Sequence, residues 1–226
     1  MNRFFIPTKG TDDWKRLLAD PTKHWRKDFS AFELAKRWET SDGFPSEIAQ
    51  IFAKSGIPAF QKVEFLIGFP EYQVHLPGGS RPSQNDLFIL AKGQNGQLIS
   101  ICVEGKAAEP FGPTISEWIE GASEGKRKRL TYLTQQLGLT REIPPHIRYQ
   151  LLHRTVSAII EANRFNAVIA IMIVHSFSAD NLWFEDYQDF LALFGVQGGK
   201  NKINFINRTQ EVDLYCGWAS GNVKTR

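Results

Sequence analysis

The segment QNDLFILAKGQNGQLISICVEGKAAEP, residues 84–110, decides the fold because it encodes a β-hairpin with charges gathered at one end. Two apolar runs flank a turn at residues 93–96, where two glycines and an asparagine are typical turn residues. Asp86 opens the first run, and the triplet Glu104-Gly105-Lys106 closes the second. A hairpin built for a core therefore carries three ionisable side chains at the end opposite its turn.

The register of this hairpin decides whether those charges meet. In an antiparallel pair, residues equidistant from the turn lie opposite one another. With the turn centred near Asn95, Asp86 and Glu104 are such a pair, and their Cβ atoms should lie roughly 5 Å apart. Because strand side chains alternate between faces, Lys106 shares the face of Glu104. A slip of one residue would separate the three groups.

Asp86 and Glu104 repel each other unless a cation or Lys106 compensates their charge. Their hard oxygens favour Mg²⁺ or Mn²⁺ over zinc, and the backbone carbonyl of Gly105 could add a ligand. A divalent ion held there would polarise a phosphoryl oxygen and lower the pKa of bound water. Lys106 would orient or deprotonate that water, or neutralise charge in the transition state. These groups suit metal-assisted phosphodiester hydrolysis; the alternative is that they decorate a strand rim.

The composition is that of a globular protein, and the length suits one large domain or one domain with an appendage. Of its 226 residues 42% are hydrophobic, which supplies enough apolar material for a core. The net charge of +3 permits an acidic partner such as nucleic acid without demanding one. Cys102 and Cys216 lie in apolar runs, which indicates free thiols. Residues 1–10 lack a signal-peptide pattern, and the longest apolar run, residues 167–174, cannot span a bilayer. We therefore expect a cytoplasmic protein with no membrane partner.

The order of the elements predicts an α/β fold with a central mixed sheet flanked by helices. The run AVIAIMIVHSF, residues 167–177, is continuously apolar up to its last residues, which is typical of a strand covered on both faces. Ser30 and Glu33 have the spacing of a capping box at a helix start. The other predicted elements are helices over residues 12–20, 44–55, 116–137, 148–163 and 184–195, a strand over residues 72–76 and a strand pair over residues 202–219. The segment KVEFLIGF, residues 62–69, is compatible with either a helix end or a strand.

At Asp86 and Glu104-Gly105-Lys106 the sequence resembles the PD-(D/E)XK nuclease superfamily, which has the restriction-endonuclease-like fold. The triplet is a literal E-x-K, whereas Asn85 precedes the aspartate and Pro82 is displaced upstream. The stretches VEGKAAEPFG and RYQLLHRTVSAIIEANRF also resemble an uncharacterised bacterial family of this fold.

The resemblance implies one domain, residues 1–226, with a helix–strand–strand–strand–helix–strand core over residues 44–176. A helical extension, residues 1–43, would precede the core, and a helix with a strand pair, residues 177–226, would follow it. It also implies a nuclease in which Asp86 and Glu104 bind metal. Lys106 would orient or deprotonate the attacking water, or neutralise charge in the transition state.

A helix beginning near Arg148 offers further polar groups. Gln150, His153 and Arg154 share one face by their i, i+3, i+4 spacing. Members of the superfamily often add a polar residue from a neighbouring helix, which implies Gln150 as an assisting catalytic residue. Arg148, His153 and Arg154 would then contact a phosphate, the alternative being a solvated helix face.

Basic residues elsewhere are candidates for contact with nucleic acid. Arg81 lies in the Gly-rich loop of residues 77–84, which lacks the lysine and helix of a phosphate-binding P-loop. Lys126 and Arg127 begin the run KRKR, residues 126–129, which would give salt-dependent contact with a phosphate backbone. Such runs are also common on solvated helix faces.

Three functions stay open from the sequence. The first is a Mg²⁺- or Mn²⁺-dependent nuclease, acting on DNA, in which Glu33 or Glu47 from an early helix could supply an extra carboxylate. The second is a non-catalytic nucleic-acid-binding or regulatory module that retains the nuclease-like fold. The third is a structural α/β domain of a larger assembly. A homodimer would suit double-strand cutting.

Overall fold

The computed structural model describes residues 8–209 and 211–221, and its centre is a six-stranded sheet. The strands are β1 Glu64–Val74, β2 Ser83–Lys92, β3 Leu98–Lys106, β4 Ile169–Ser176, β5 Lys202–Thr209 and β6 Val212–Ser220. They lie in the order β1-β2-β3-β4-β6-β5. β4 is parallel to both β3 and β6, whereas the other neighbouring pairs are antiparallel. The chain is therefore an α/β protein with a mixed, open sheet, as predicted.

Helices cover both faces of this sheet. They are α1 Pro21–His24, α2 Ser30–Glu39, α3 Ser46–Ala53, α4 Ile115–Ile119, α5 Glu124–Gln136, α6 Tyr149–Phe165 and α7 Phe184–Ala192. On one face, Trp38 of α2 and Ile51 of α3 pack against odd-numbered positions of β2, β3 and β4. On the other face, Leu152 and Val156 of α6 pack against even-numbered positions of the same strands. The sheet is the middle of three layers.

β2 and β3 form the predicted hairpin in the predicted register. Leu87 pairs with Val103, so Asp86 and Glu104 follow as the next positions toward the open end. The turn is possible because Gly96 adopts a φ of 82°, a left-handed conformation that glycine enters without steric cost. The apolar middle of the hairpin is buried, and its charged end lies at an edge of the sheet.

The connection from β3 to β4 determines what lies at that edge. α4, α5 and α6 intervene, and β4 then returns parallel to β3, with Lys106 beside Ser176. β6 lies parallel to β4 on its other side, with Ser220 beside Ser176. The carboxyl ends of β3, β4 and β6 therefore share one edge, which is the usual position of ligand sites in open α/β sheets. β4 is buried at every position, which confirms the prediction of a strand covered on both faces.

Two predicted helices differ from the observed ones. The helix predicted over residues 116–137 is two helices, because the chain turns after α4 and starts again at α5. Ser123 caps α5 by accepting a hydrogen bond from the Lys126 N–H at 3.3 Å. The short helix predicted over residues 12–20 is a 3-10 helix over residues 11–17.

The first strand and the start of α2 also differ from their predictions. β1 spans eleven residues, Glu64–Val74, and not the short strand predicted over residues 72–76. The capping box of Ser30 with Glu33 does not form. The Ser30 N–H instead donates to Oε1 of Glu109, 79 residues away along the chain, at 2.8 Å. A local pattern could not show this long-range cap.

The predictions for the two thiols and for the absence of a membrane span agree with the structure within the described residues. Cys102 and Cys216 are free and buried, as predicted. Within residues 8–209 and 211–221, every helix is too short or too polar to cross a membrane. The signal-peptide prediction concerns residues 1–10, of which residues 1–7 lie outside the described part of the chain.

Candidate functional site

Asp86 lies near the start of β2 and Glu104 near the end of the neighbouring strand β3, so both lie toward the same edge of the sheet. The backbone N–H of Gly105 donates to Oδ2 of Asp86 at 2.8 Å, which fixes the Asp86 side chain against β3. The Glu104 side chain is 2% exposed, and that of Asp86 is 18% exposed. The register thus brings two carboxylates together with little access to water.

The Glu104 carboxylate is hydrogen-bonded through both oxygens. Oε1 accepts from Lys106 Nζ at 2.6 Å and from Gln150 Nε2 at 2.7 Å. Oε2 accepts from Arg154 Nε at 2.6 Å. Gln150 and Arg154 lie one turn apart on α6, which packs directly over β3. The structure therefore brings together the four residues predicted as catalytic and adds Arg154 to them.

Arg154 connects the two carboxylates. While its Nε binds Glu104, its Nη2 lies 3.7 Å from Oδ1 of Asp86. Its Nη1 donates to Ser83 Oγ at 3.3 Å, and that oxygen also lies 2.8 Å from His153 Nδ1. Gln150, His153 and Arg154 do share one face of α6, as predicted, and this face is turned toward the strand ends.

Glu71 is a further carboxylate that the sequence did not reveal. The register of β1 against β2 places it beside Asp86, and its Oε2 accepts a hydrogen bond from Gln84 Nε2 at 2.7 Å. Its φ of 52° lies in the left-handed region although it stands within β1, a conformation that non-glycine residues adopt rarely and mostly near functional or strained positions. The only available signal was a charge after Pro70 in an otherwise apolar run, and its position depended on an unknown register.

These side chains form one group, which we call the edge cluster. Its members are Glu71, Asp86, Glu104, Lys106, Gln150 and Arg154.

Burial and the neighbouring charges raise the pKa values of Asp86 and Glu71 and lower that of Glu104. Burial, and then repulsion by Glu104, raises the pKa of Asp86 to about 7. Burial, and then repulsion by Asp86, raises the pKa of Glu71 to about 8. Burial also opposes ionisation of Glu104, yet Lys106 and Arg154 outweigh it and hold that pKa below its usual value. Negative charge is therefore compensated at Glu104 and left in excess at Asp86 and Glu71.

The donor set of the edge cluster fits a hard divalent cation. Asp86 and Glu104 offer carboxylate oxygens beside each other, and the excess negative charge favours a cation. Within the described residues, no three His, Cys, Asp or Glu side chains are arranged to hold a metal together. Mg²⁺ requires no such set, since it keeps several waters and commonly binds one or two carboxylates with substrate phosphates. At Gly105 the N–H is engaged with Asp86, and the carbonyl stays a predicted metal ligand.

The segment of residues 107–113 closes over the lysine side of the edge cluster. Lys106 Nζ lies 4.8 Å from the ring centroid of Phe111, and its side chain is 4% exposed. The Gly112 N–H donates to Oε1 of Gln150 at 3.1 Å, while the amide nitrogen of Gln150 binds Glu104. Gln150 therefore holds this segment and the cluster together.

A family model described as Domain of unknown function (DUF6946) matches residues 7–223. The chain belongs to this family. The DUF6946 match encloses all six strands and the whole edge cluster. Neither a curated protein nor a solved structure matches the chain.

Two predicted phosphate contacts of the DUF6946 chain already have protein partners. Arg148 Nε donates to Asp186 Oδ1 at 3.0 Å, and its Nη1 donates to the Gly112 carbonyl at 3.3 Å. His153 is turned toward Ser83, and burial, followed by the charge of Arg154, lowers its pKa well below the usual value. His153 is thus neutral and does not offer a positive charge to a phosphate.

In the basic run of α5, residues 126–129, the middle two residues are exposed and the outer two are engaged within the protein. Arg127 and Lys128 are exposed, as is Arg81 in the Gly-rich loop, so these three can meet a polyanion. Lys126 is engaged within the protein, because its Nζ donates to the Trp118 carbonyl at 2.7 Å and lies 5.4 Å from the Trp118 ring centroid. Arg127 and Lys128 are therefore the residues of this run that are accessible for the predicted salt-dependent contact.

Arg129, the last residue of the run, fastens the Gly-rich loop to α5. It is buried and donates hydrogen bonds of 2.9–3.3 Å to the carbonyls of Leu76, Pro77 and Gly79. The backbones are so close that a Cβ added at Gly78 would lie 2.2 Å from the carbonyl oxygen of Gly125. The loop is thus held against α5 at the point where the chain leads into β2 and the edge cluster.

The two candidate carboxylates from the early helices lie outside the edge cluster. Glu47 binds Arg37 and lies 2.9 Å from His175 Nε2. Burial, only partly offset by Glu47, lowers the pKa of His175. Glu33 accepts a hydrogen bond from the Asp28 N–H at 3.1 Å. Both carboxylates therefore have structural partners, and the extra carboxylate near Asp86 comes from Glu71 instead.

Proposed function

We propose that this protein is a divalent-metal-dependent nuclease of the PD-(D/E)XK type, which hydrolyses phosphodiester bonds in DNA. The observation that carries the proposal is the meeting of Asp86, Glu104, Lys106 and Gln150 at one sheet edge. Lys106 Nζ and Gln150 Nε2 lie 2.6 and 2.7 Å from the same Glu104 oxygen, and Asp86 is hydrogen-bonded to the next residue of β3. An unrelated strand rim would not need acid, base and amide groups converging in a buried position.

The arrangement of elements supports the superfamily assignment. α3 precedes three antiparallel strands, β1 to β3, and α6 then leads to β4, which is parallel to β3. This is the helix–strand–strand–strand–helix–strand order that the resemblance implies. The strands β5 and β6 extend the same sheet beyond that core.

Asp86 and Glu104 would hold the Mg²⁺ or Mn²⁺ ion. When bound, the ion polarises a phosphoryl oxygen and makes its water more acidic. Lys106 lies next to Glu104 with its charge shielded from water, so it can neutralise charge on the phosphate or hold a proton at Nζ. Gln150 orients Glu104 and excludes water through its bond to Gly112. Arg81, Arg127 and Lys128 supply exposed positive charge for the phosphate backbone.

A cleavage assay with a matched pair of lysine variants tests the proposal. Single-stranded, double-stranded and supercoiled DNA, and RNA, are incubated with the protein in Mg²⁺, in Mn²⁺ and in EDTA. We expect metal-dependent cleavage of DNA by the wild type and its loss in Lys106→Met. Lys92→Met is the control, since Lys92 lies on β2 and pairs with the exposed Glu64. No cleavage by the wild type, or equal cleavage by both variants, would contradict the proposal, and cleavage of RNA alone would reassign the substrate.

A second candidate, a non-catalytic nucleic-acid-binding module, is favoured by one observation. Lys106 and Arg154 already compensate the charge of Glu104 in the absence of metal, so the ion pairs around Glu104 are complete without a cation. On this account the protein binds DNA with the same affinity in EDTA and in Mg²⁺ and leaves the strands intact. The nuclease account predicts tighter binding, or cleavage, when the metal is added.

A further inference from the structure

We propose that Arg154 occupies the place of the divalent cation in the metal-free protein and is displaced when the cation binds. The inference rests on the proposed metal site and goes beyond it, because it gives Arg154 a role in deciding metal affinity. It concerns a competition between two cations for the same carboxylate oxygens, and it can be tested without measuring nuclease activity.

The contacts of Arg154 are those that a cation between the two carboxylates would make. Its Nε is 2.6 Å from Oε2 of Glu104, and its Nη2 is 3.7 Å from Oδ1 of Asp86. A metal ion held by these two residues would need oxygens that the guanidinium now occupies. Both cannot bind Glu104 Oε2 and lie beside Asp86 Oδ1 in the same way at once.

The charge of the site leads to the same conclusion. Lys106 and Arg154 already balance the charges of Asp86 and Glu104, and Glu71 adds one further negative charge. A divalent ion added while Arg154 still bound Glu104 would place three cationic groups against the same two carboxylates in a buried region, where repulsion between cations is strong. Moving Arg154 away from Asp86 and Glu104 is the change that relieves this repulsion, since the Lys106 amine is confined beneath Phe111.

The surroundings offer Arg154 another position. Its Nη1 already donates to Ser83 Oγ at 3.3 Å, and Ser83 Oγ is held in turn by a hydrogen bond from Ser157 Oγ at 2.9 Å. The Glu71 carboxylate attracts the same guanidinium. Arg154 can therefore rotate toward Ser83 and Glu71 without becoming a buried charge that lacks a partner.

Two measurements test this inference. In the first, the guanidinium Nε–H signal of Arg154 is followed by ¹H–¹⁵N NMR in the wild type and assigned by its absence from Arg154→Lys. The 2.6 Å bond to Glu104 should give a downfield, slowly exchanging signal without metal. We expect Mg²⁺ to move it upfield and speed its exchange with water. An unchanged signal while Mg²⁺ binds would overturn the inference.

In the second, calorimetric titration with Mn²⁺ compares the wild type with Arg154→Met. Removing the competing charge should strengthen Mn²⁺ binding by about tenfold or more. Arg37→Met is the control, because Arg37 pairs with Glu47 on the opposite face and should leave the affinity unchanged. If the variant needs metal to fold, its melting temperature should rise more with Mn²⁺ than that of the wild type.

The possible outcomes separate this inference from the proposed nuclease activity. Stronger Mn²⁺ binding by Arg154→Met, in a protein that cleaves no nucleic acid, would support the displacement of Arg154 and contradict the proposed nuclease activity. Equal binding by both proteins, in an active nuclease, would overturn the displacement alone. Absence of Mn²⁺ binding in both would overturn the metal site and the displacement together.

Discussion

The carboxylate of Asp86 accepts a 2.8 Å hydrogen bond from the backbone N–H of Gly105 on the neighbouring strand. Its second oxygen faces Arg154 at 3.7 Å. One oxygen therefore fixes the side chain against β3, and the other is directed at the charged centre. The two oxygens have separable roles, and this separation leads to the first prediction.

Asp86→Asn should abolish activity while preserving the fold. The asparagine carbonyl can still accept from Gly105, so the hairpin end keeps its bond, whereas the charge that would bind metal is gone. We expect the cleavage rate to fall by about a hundredfold or more. The rate at saturating Mg²⁺ and the circular dichroism spectrum measure the two effects. Asp180→Asn, at an exposed position, is the control, and an active Asp86→Asn would remove Asp86 from the site.

The metal-free protein should lose stability as pH rises. Burial, and then repulsion between carboxylates, raises the pKa of Asp86 to about 7 and that of Glu71 to about 8. An acid whose pKa is higher in the folded than in the unfolded state gives stability that is lost as pH rises through the folded value. His153 and His175 have lowered pKa values, so they reduce stability only as pH falls through the range near 6.5.

The corresponding measurement is the melting temperature in EDTA between about pH 6.5 and about pH 8.5, the range in which these two carboxylates ionise in the folded protein. We expect a decline across this range, and Glu71→Gln should make it shallower. Saturating Mg²⁺ should reduce the decline further, since a cation stabilises the ionised carboxylates. A flat or rising profile in the wild type would contradict the assigned charge excess.

Gly78→Ala should destabilise the protein more than Gly96→Ala. Both glycines have a similar φ, 81° and 82°, so the backbone strain of an alanine is matched. The added Cβ at Gly78 would meet the Gly125 carbonyl oxygen at 2.2 Å, whereas at Gly96 it meets open space. We expect losses in the free energy of unfolding of about 3 kcal/mol and about 1 kcal/mol respectively. Urea unfolding measures both, and equal losses would show that loop and helix are not in close contact.

Arg127→Met combined with Lys128→Met should weaken DNA binding without affecting stability. Both side chains are exposed on α5, so their loss should change the free energy of unfolding by less than about 0.5 kcal/mol. If both contact phosphates, the slope of log affinity against log salt should fall by about two. Fluorescence anisotropy over a series of salt concentrations provides the slope. An unchanged slope would place the nucleic acid on another surface.

Arg129→Met is the contrasting variant within the same basic run. It removes hydrogen bonds to three carbonyls from a buried position, so it should cost about 2–4 kcal/mol of unfolding free energy. Its effect on DNA binding, measured at a temperature where it is folded, should be smaller than that of the double variant. A stable Arg129→Met protein would contradict the role assigned to this residue.

The hairpin and the helix face of α6 were predictable because each depends on a local rule. The turn centred near Asn95 fixes which residues of β2 and β3 face each other, so Asp86 and Glu104 could be paired from spacing alone. The i, i+4 relation likewise placed Gln150 and Arg154 together on α6. What local rules could not supply is that this face of α6 packs over the end of β3 rather than facing solvent.

The parts that escaped prediction depend on contacts distant in sequence. Glu71 belongs to the edge cluster only through the register of β1, and its positive φ leaves no mark in the sequence. Ser30 and Glu33 have the spacing of a capping box, but the Ser30 N–H at the helix start donates its hydrogen bond to Glu109. In the sequence, Arg154 is one of several basic residues on a polar helix face. Its role as an internal counter-charge follows only from its burial beside Glu104 in the structure.

The position of a bound Mn²⁺ ion tests the metal site most directly. Crystals of the wild-type protein soaked in Mn²⁺ would be measured at a wavelength where manganese scatters anomalously. The account predicts an anomalous peak between the carboxylates of Asp86 and Glu104, within about 2.5 Å of an oxygen of each, with Arg154 turned away from it. A peak elsewhere, or none at saturating Mn²⁺ with Arg154 still bound to Glu104, would contradict it.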